Sequence, residues 1–342
     1  MATATPGSVA LHDIDWSPVV RSVIWVPAAY RCGTLDENRV LRILRCTPAS
    51  LAALRDLGLT PQDKREGPRY DACDIRNAAL YSMSDRTEVE AAMRPILSFL
   101  RGSDEVLFAE RRWTYQMRPV AEPGTGMCLT YPLAPEVSGG ETEALTVDGA
   151  PPRRAGDRVA VPAGSLLRGT IVTRGRPGRP LNPLILSITA DFLASGVRWH
   201  YLPEGLKTDA HAAFAAGVGN CDTLSAVLAE RLTAAGFATS IYRGWIIGIT
   251  EVPHSWIEVT DDDGDLKVID PSLLLLASHS SLGSPDFAAR ALGARLSRVA
   301  PTRCPLTEPI GVAMTPDGTV PCQVGFSCRP SRPPGAAKEG SR

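Results

Sequence analysis

The sequence predicts an α+β fold in which a helix bearing a cysteine packs on an antiparallel sheet bearing a histidine and an aspartate. Three observations predict it. A glycine-flanked cysteine, Cys221, opens an amphipathic run in which Leu224, Val227, Leu228 and Leu232 share one face. Two runs rich in β-branched and aromatic residues follow, at 238–249 and 253–259. A third, at 266–270, is separated from the second by an acidic turn containing Gly264, a hairpin signal.

The 342 residues suit about two domains. With 44% apolar and 21% charged residues, the chain has the composition of a folded globular protein. Its net charge of −1 gives no whole-molecule field for collecting nucleic acid or anionic lipid. Only four of the 36 basic residues are lysines, which with the frequent Ala, Gly and Pro reads as the coding bias of a GC-rich bacterium. The first 16 residues lack a basic start and an apolar stretch, and no run approaches the roughly 20 residues that span a bilayer. A cytoplasmic location without membrane attachment is expected. The eight cysteines include no C-x-x-C pair, so buried thiols are expected; Cys304, Cys322 and Cys328 form the only cluster with a weak claim on zinc, and no metal or cofactor is assigned.

In chain order, 1–19 reads as a leader and 20–173 as an accessory α+β domain. It includes a strand-like run at 23–26, a short helix at 49–57 and an amphipathic helix after Ser84 carrying Val89, Met93, Ile96, Leu97 and Leu100, with Pro95 as a kink. Residues 122–158 are rich in Pro, Gly, Glu and Thr and read as hairpins and loops, followed by short strands at 159–161 and 166–172. The Pro- and Gly-rich stretch 174–182 reads as a linker, and its arginines could alternatively hold a phosphate. A catalytic domain over 183–300, a C-terminal extension over 301–328 and a disordered tail over 329–342 complete the division.

Cysteine at a helix N-terminus has a chemical consequence. The unpaired amides and dipole of the first turn favour an anion, making a thiolate accessible and offering donors for an oxyanion. Asn220 is positioned as N-cap, and Gly217 and Gly219 allow close approach to the backbone. Hairpin pairing about a loop centred between Asp262 and Asp263 places His254 opposite 270–271, where Asp270 stands. A strict two-residue turn at Asp263 and Gly264 would instead place it opposite 273. Alternation assigns Ile257 and Val259 to the core face, and His254 and Trp256 to a face that could border a cleft. Cys221 as nucleophile, His254 as proton carrier and Asp270 as its orienting acid form a coherent triad.

Three motifs carry a family resemblance: Gly219-Asn220-Cys221, then His254-Ser255-Trp256-Ile257-Glu258-Val259, then Ile269-Asp270-Pro271. The stretch 235–239 and Arg243-Gly244 add to it. Over 183–275 the chain resembles the transglutaminase-like superfamily. The resemblance implies a papain-like α+β core and acyl transfer through a thioester. The family's second oxyanion donor has no secure match, and Trp199 and Tyr201 are the candidates, with Trp256 and Asn220 as further substrate-binding candidates.

The absence of a calcium-site pattern and the large accessory region favour a small-molecule acyltransferase over a protein cross-linker. The leading expectation resembles the amide-forming members of antibiotic pathways, joining an acyl donor to an amine. An acidic acyl carrier protein as donor would suit Arg153, Arg154 and the linker arginines. Two alternatives use the same residues differently: a cysteine peptidase or amidase, and a non-catalytic binding module with a vestigial triad.

Overall fold

The computed structural model describes residues 10–120, 125–279, 283–284 and 286–331. Its first third is mainly helical: α1 (Ser17–Ser22), α2 (Glu37–Leu44), α3 (Pro48–Asp56), α4 (Ala72–Tyr81), α5 (Glu88–Leu100) and α6 (Asp104–Phe108), with β1 (Gly33–Leu35), β2 (Gln62–Lys64) and β3 (Gly67–Asp71) forming a small sheet. Side chains cap the starts of α2 to α5. Asp71 caps α4, and Thr87 with Glu90 makes a reciprocal capping box on α5, which accommodates Pro95 in its interior. The run at 23–26, expected as a strand, has no strand partner among the described residues. The Ile24 N–H donates to the His200 ring and the Val26 N–H to the Asp74 carboxylate, so side chains satisfy this backbone.

Strands β4 (Arg111–Val120), β5 (Met127–Thr130), β6 (Glu141–Val147), β7 (Arg153–Ala155), β8 (Arg158–Pro162) and β9 (Leu167–Thr173) follow. Then come α7 (Pro183–Ala194), β10 (Arg198–Trp199), α8 (Glu204–Lys207), α9 (Ala210–Ala215), β11 (Val218–Gly219) and α10 (Cys221–Ala234). The chain continues through β12 (Thr239–Ile246), β13 (His254–Thr260), β14 (Leu266–Ile269), α11 (Pro271–His279), α12 (Phe287–Ala291), β15 (Val299–Pro305), β16 (Gly311–Thr315) and β17 (Gly318–Pro330). The fold is mixed α and β with antiparallel sheets. One has four strands in the order β14-β13-β12-β15, and one has eight in the order β6-β9-β4-β17-β16-β5-β8-β7. No helix among the described residues is long and apolar enough to cross a membrane.

The apolar cores divide the chain differently from the expected boundaries. Trp16, Val19, Leu44, Tyr70 and Leu100 from the helical third lie in one cluster with Leu228, Ile257, Ile269 and Leu273. A second cluster joins Trp113, Tyr115 and Ile171 to Trp245, Ile247, Ala300 and Phe326. Residues 20–173 therefore split between two cores, both shared with later chain, because each half has an apolar face that only a distant partner can cover. Within the leader, Trp16 and Val19 are core residues; residues 1–9 lie outside the described residues. The linker is tied down by the Arg176–Arg295 bridge and by ion pairs of Arg176 and Arg179 with Asp265. Residues 301–328 enter both large sheets through β15, β16 and β17. The expected tail begins too early: Arg329 and Pro330 pair with Thr114 and Trp113. The rest of that tail, 332–342, lies outside the described residues.

Two predictions arise from the packing. A Cβ on Gly244 would run into the Ala300 carbonyl oxygen where β12 meets β15, so Gly244→Ala is expected to lower stability by about 1–3 kcal/mol in urea unfolding. The buried Asp74 carboxyl is pushed up to about 7, first by burial and then by Asp71, against the Val26 N–H and Arg31. The folded chain thus keeps a proton that the unfolded chain loses near 3.8. The stability this contributes is full below that value and lost as pH rises through about 7. Asp74→Asn keeps an acceptor for Val26, and its unfolding midpoint is expected to fall less than that of wild type between pH 4 and 8.

Candidate active site

Helix α10 begins where β11 stops. The Asn220 carboxamide oxygen accepts from the Thr223 N–H, and the Thr223 hydroxyl accepts from the Asn220 N–H. This box fixes the first turn and puts Cys221 at its first position, partly exposed. It also takes the Asn220 side-chain oxygen for capping, so the structure gives Asn220 a structural task. Ahead of it, Gly219 packs so closely that a Cβ would meet the Leu224 side chain at 2.5 Å.

The histidine comes from the start of β13, which lies between β12 and β14 and is covered by α10. His254 and Asp270 are both buried, at 8% and 9% exposure, and His254 Nε2 lies 2.6 Å from Asp270 Oδ2. The other Asp270 oxygen accepts the Leu273 N–H at 3.0 Å, capping α11. One carboxylate therefore holds the imidazole and starts a helix, so its position is fixed from two directions. The Cys221 thiol lies close enough to the imidazole to help raise its pKa. With Nε2 held by Asp270, Nδ1 is the nitrogen left to face the sulfur.

Burial alone would pull the His254 pKa down. The charge and hydrogen bond of Asp270, joined by the contact with Cys221, overcome it and hold the imidazole well above its usual value. The ring is thereby prepared to carry a proton. Trp256 stacks at 6.2 Å from the His254 ring and is 1% exposed. The cavity that Trp256 lines with Asp270, Leu273 and Phe287 measures about 10 Å³, at the lower limit for one water. The expected cleft on the His254 and Trp256 face is thus filled, and Trp256 walls the imidazole instead of binding substrate there.

Trp199 and Tyr201 flank the strand that leads to the cysteine. Trp199 pairs with Gly219 in the parallel β10–β11 ribbon, and the His200 N–H donates to the Gly219 carbonyl. The two rings meet edge to face at 5.0 Å. Tyr81 donates to the Trp199 carbonyl, and Asn77 pairs with the Tyr201 backbone in both directions. Burial raises the Tyr201 phenol. These contacts anchor the ribbon on α4.

Three further side chains meet at the cysteine. The Asp222 carboxylate lies 3.9 Å from Cys221 Sγ through Oδ1, accepts the Ser255 hydroxyl on the same oxygen, and binds Arg243 Nη2 at 3.2 Å through Oδ2. Alternation along β13 was a usable signal for Ser255, which points away from the His254 face toward α10. Nothing local singled out Asp222 or Arg243 as partners.

The weak zinc candidates separate in space. Cys304 contacts the Pro305 and Glu308 carbonyls, and Cys328 accepts the Gly248 N–H, whereas Cys322 neighbours Cys128. Among the described residues no group of three or more His, Cys, Asp or Glu is arranged to hold a metal ion.

No family profile matches the chain, and no curated protein matches it. A solved structure of a candidate cysteine protease from Cytophaga hutchinsonii is similar to it, at 9% identity and a TM-score of 0.43, over 66% of this chain and 91% of that one.

Proposed function

We propose that this chain is a transglutaminase-like, papain-like enzyme that transfers an acyl group through a thioester on Cys221, with an amine as acceptor and an amide as product. The observation that carries the reading is the buried His254–Asp270 pair, 2.6 Å apart, set against a thiol at a helix start. His254 takes the thiol proton as sulfur attacks the acyl carbon, and the tetrahedral oxyanion forms beside the first-turn amides of α10. Expulsion of the leaving group gives the acyl-Cys221 thioester, and the imidazole transfers a proton to the departing group. The amine then attacks the thioester, His254 accepts its proton, and the sulfur leaves. Asp270 fixes the imidazole orientation and offsets its charge.

The donor is read as a small-molecule or carrier-bound thioester of bacterial specialised metabolism. Of the arginines expected to meet a carrier, Arg153 and Arg154 are exposed on β7, whereas Arg174 engages Glu110, and Arg176 and Arg179 engage Asp265.

The test uses the full chain and a panel of acyl N-acetylcysteamine thioesters, followed by intact mass. An acyl adduct on wild type but not on Cys221→Ala is expected, and added ethylamine should divert it to the amide faster than water releases it. Release only as the free acid would convert the assignment to a hydrolase. Absence of any adduct across the panel, with Cys221 no more reactive than the other thiols, would leave a binding module.

A further inference from the structure

The Asp222 carboxylate stands in an unfavourable place for thiolate chemistry. It is 3.9 Å from Cys221 Sγ, where a negative charge opposes ionisation of the thiol and its oxygen competes with His254 for the thiol proton. The surroundings counter this at both oxygens. Ser255, on β13, donates to Oδ1, the oxygen that faces the sulfur. Arg243, on β12, holds Oδ2 through Nη2 at 3.2 Å. Its Nη1 donates to the Glu308 carbonyl at 2.8 Å, and its own carbonyl accepts the Thr302 hydroxyl. The guanidinium is thereby braced from the loop leading to β16 and the Arg243 backbone from β15, and the side chain is only 20% exposed.

We propose that Arg243 is a positioning residue for the nucleophile: braced by Glu308 and Thr302, it holds and offsets the Asp222 carboxylate so that the proton of Cys221 goes to His254. This rests on the acyl-enzyme reading above and adds to it a second charged pair. The pair links the nucleophile's helix to the loop that enters the eight-stranded sheet. It also explains why an acid is tolerated directly after the cysteine. Asp222 favours the positive end of α10, and the arginine removes the penalty its charge would place on the sulfur.

The test is the rate at which iodoacetamide alkylates Cys221 in the full chain at pH 7, followed by mass spectrometry of the Cys221 peptide. Arg243→Ala is expected to slow alkylation roughly tenfold, the effect of one pKa unit on the thiolate fraction. Asp222→Asn in that background should bring the rate back to within about threefold of wild type, and Arg243→Lys should retain most of it. Asp222→Asn alone should alkylate at least as fast as wild type, which keeps the test open if Arg243→Ala fails to fold. Wild-type rates in Arg243→Ala, or a slowing that Asp222→Asn leaves in place, would overturn the proposal while the acyl-enzyme reading stands. A wild-type Cys221 no more reactive than the other seven thiols would overturn both.

Discussion

Cys221→Ala is expected to lower turnover by about a million-fold, down to whatever rate binding and the helix amides alone support. In the proposed mechanism the sulfur forms the covalent bond, and no other described group at the site can replace it as a nucleophile next to His254. Stability should move little, within about 0.5 kcal/mol, because the thiol is partly exposed and the capping of α10 is carried by Asn220 and Thr223. Single-turnover kinetics with thermal unfolding of the same sample separates the two effects. His254→Ala should cost nearly as much activity, and the double variant no more than either single one, since the two act as a unit. A Cys221→Ala protein that turned over within tenfold of wild type would end the covalent mechanism.

Asp270→Ala should have the second-largest effect, and on two quantities at once. Turnover is expected to fall about 10³- to 10⁴-fold as the imidazole loses its orientation and its counter-charge. Stability should fall by about 3–5 kcal/mol, because a buried imidazole loses its partner and α11 loses its cap. The pH dependence has a defined sign. The folded imidazole is held well above its usual value, so the folded chain keeps a proton that the unfolded chain releases near pH 6.5. The stability contributed by the pair is complete below that pH and disappears as the pH rises through the folded value. Urea midpoints for wild type and Asp270→Ala should therefore differ most in mild acid and converge in alkali. A gap that widened with rising pH would contradict the charged pair.

Much of this site was legible because its signals are local. Gly219, Asn220 and the apolar face beginning at Leu224 predict a helix that starts at the cysteine, and the box between Asn220 and Thr223 is what starts it. The hairpin was legible to within a residue or two. The observed register, with Ile257 opposite Ile269, extrapolates to Ser272 opposite His254, where 270–271 was expected. The contact with Asp270 forms nevertheless, because β14 ends at Ile269 and Pro271 begins a helix, which leaves the Asp270 side chain at the strand end, within reach of the ring. The filled face behind His254 was not legible. Its covering residues, Leu273, Phe287 and Leu296, come from segments whose packing no local pattern specifies.

By itself the sequence determined where α10 begins, which strands follow it, and that a cysteine, a histidine and an aspartate fall at their ends. Capping, alternation and turn chemistry act over a few residues and can be read from those residues alone. The tertiary structure decided that the helical first third shares its core with the site, that residues 311–330 complete the sheet begun at Arg111, and that Arg243 meets Asp222. Those choices are made by burial of apolar faces and pairing of charges between distant segments, whose partners are selected only when the whole chain closes on itself.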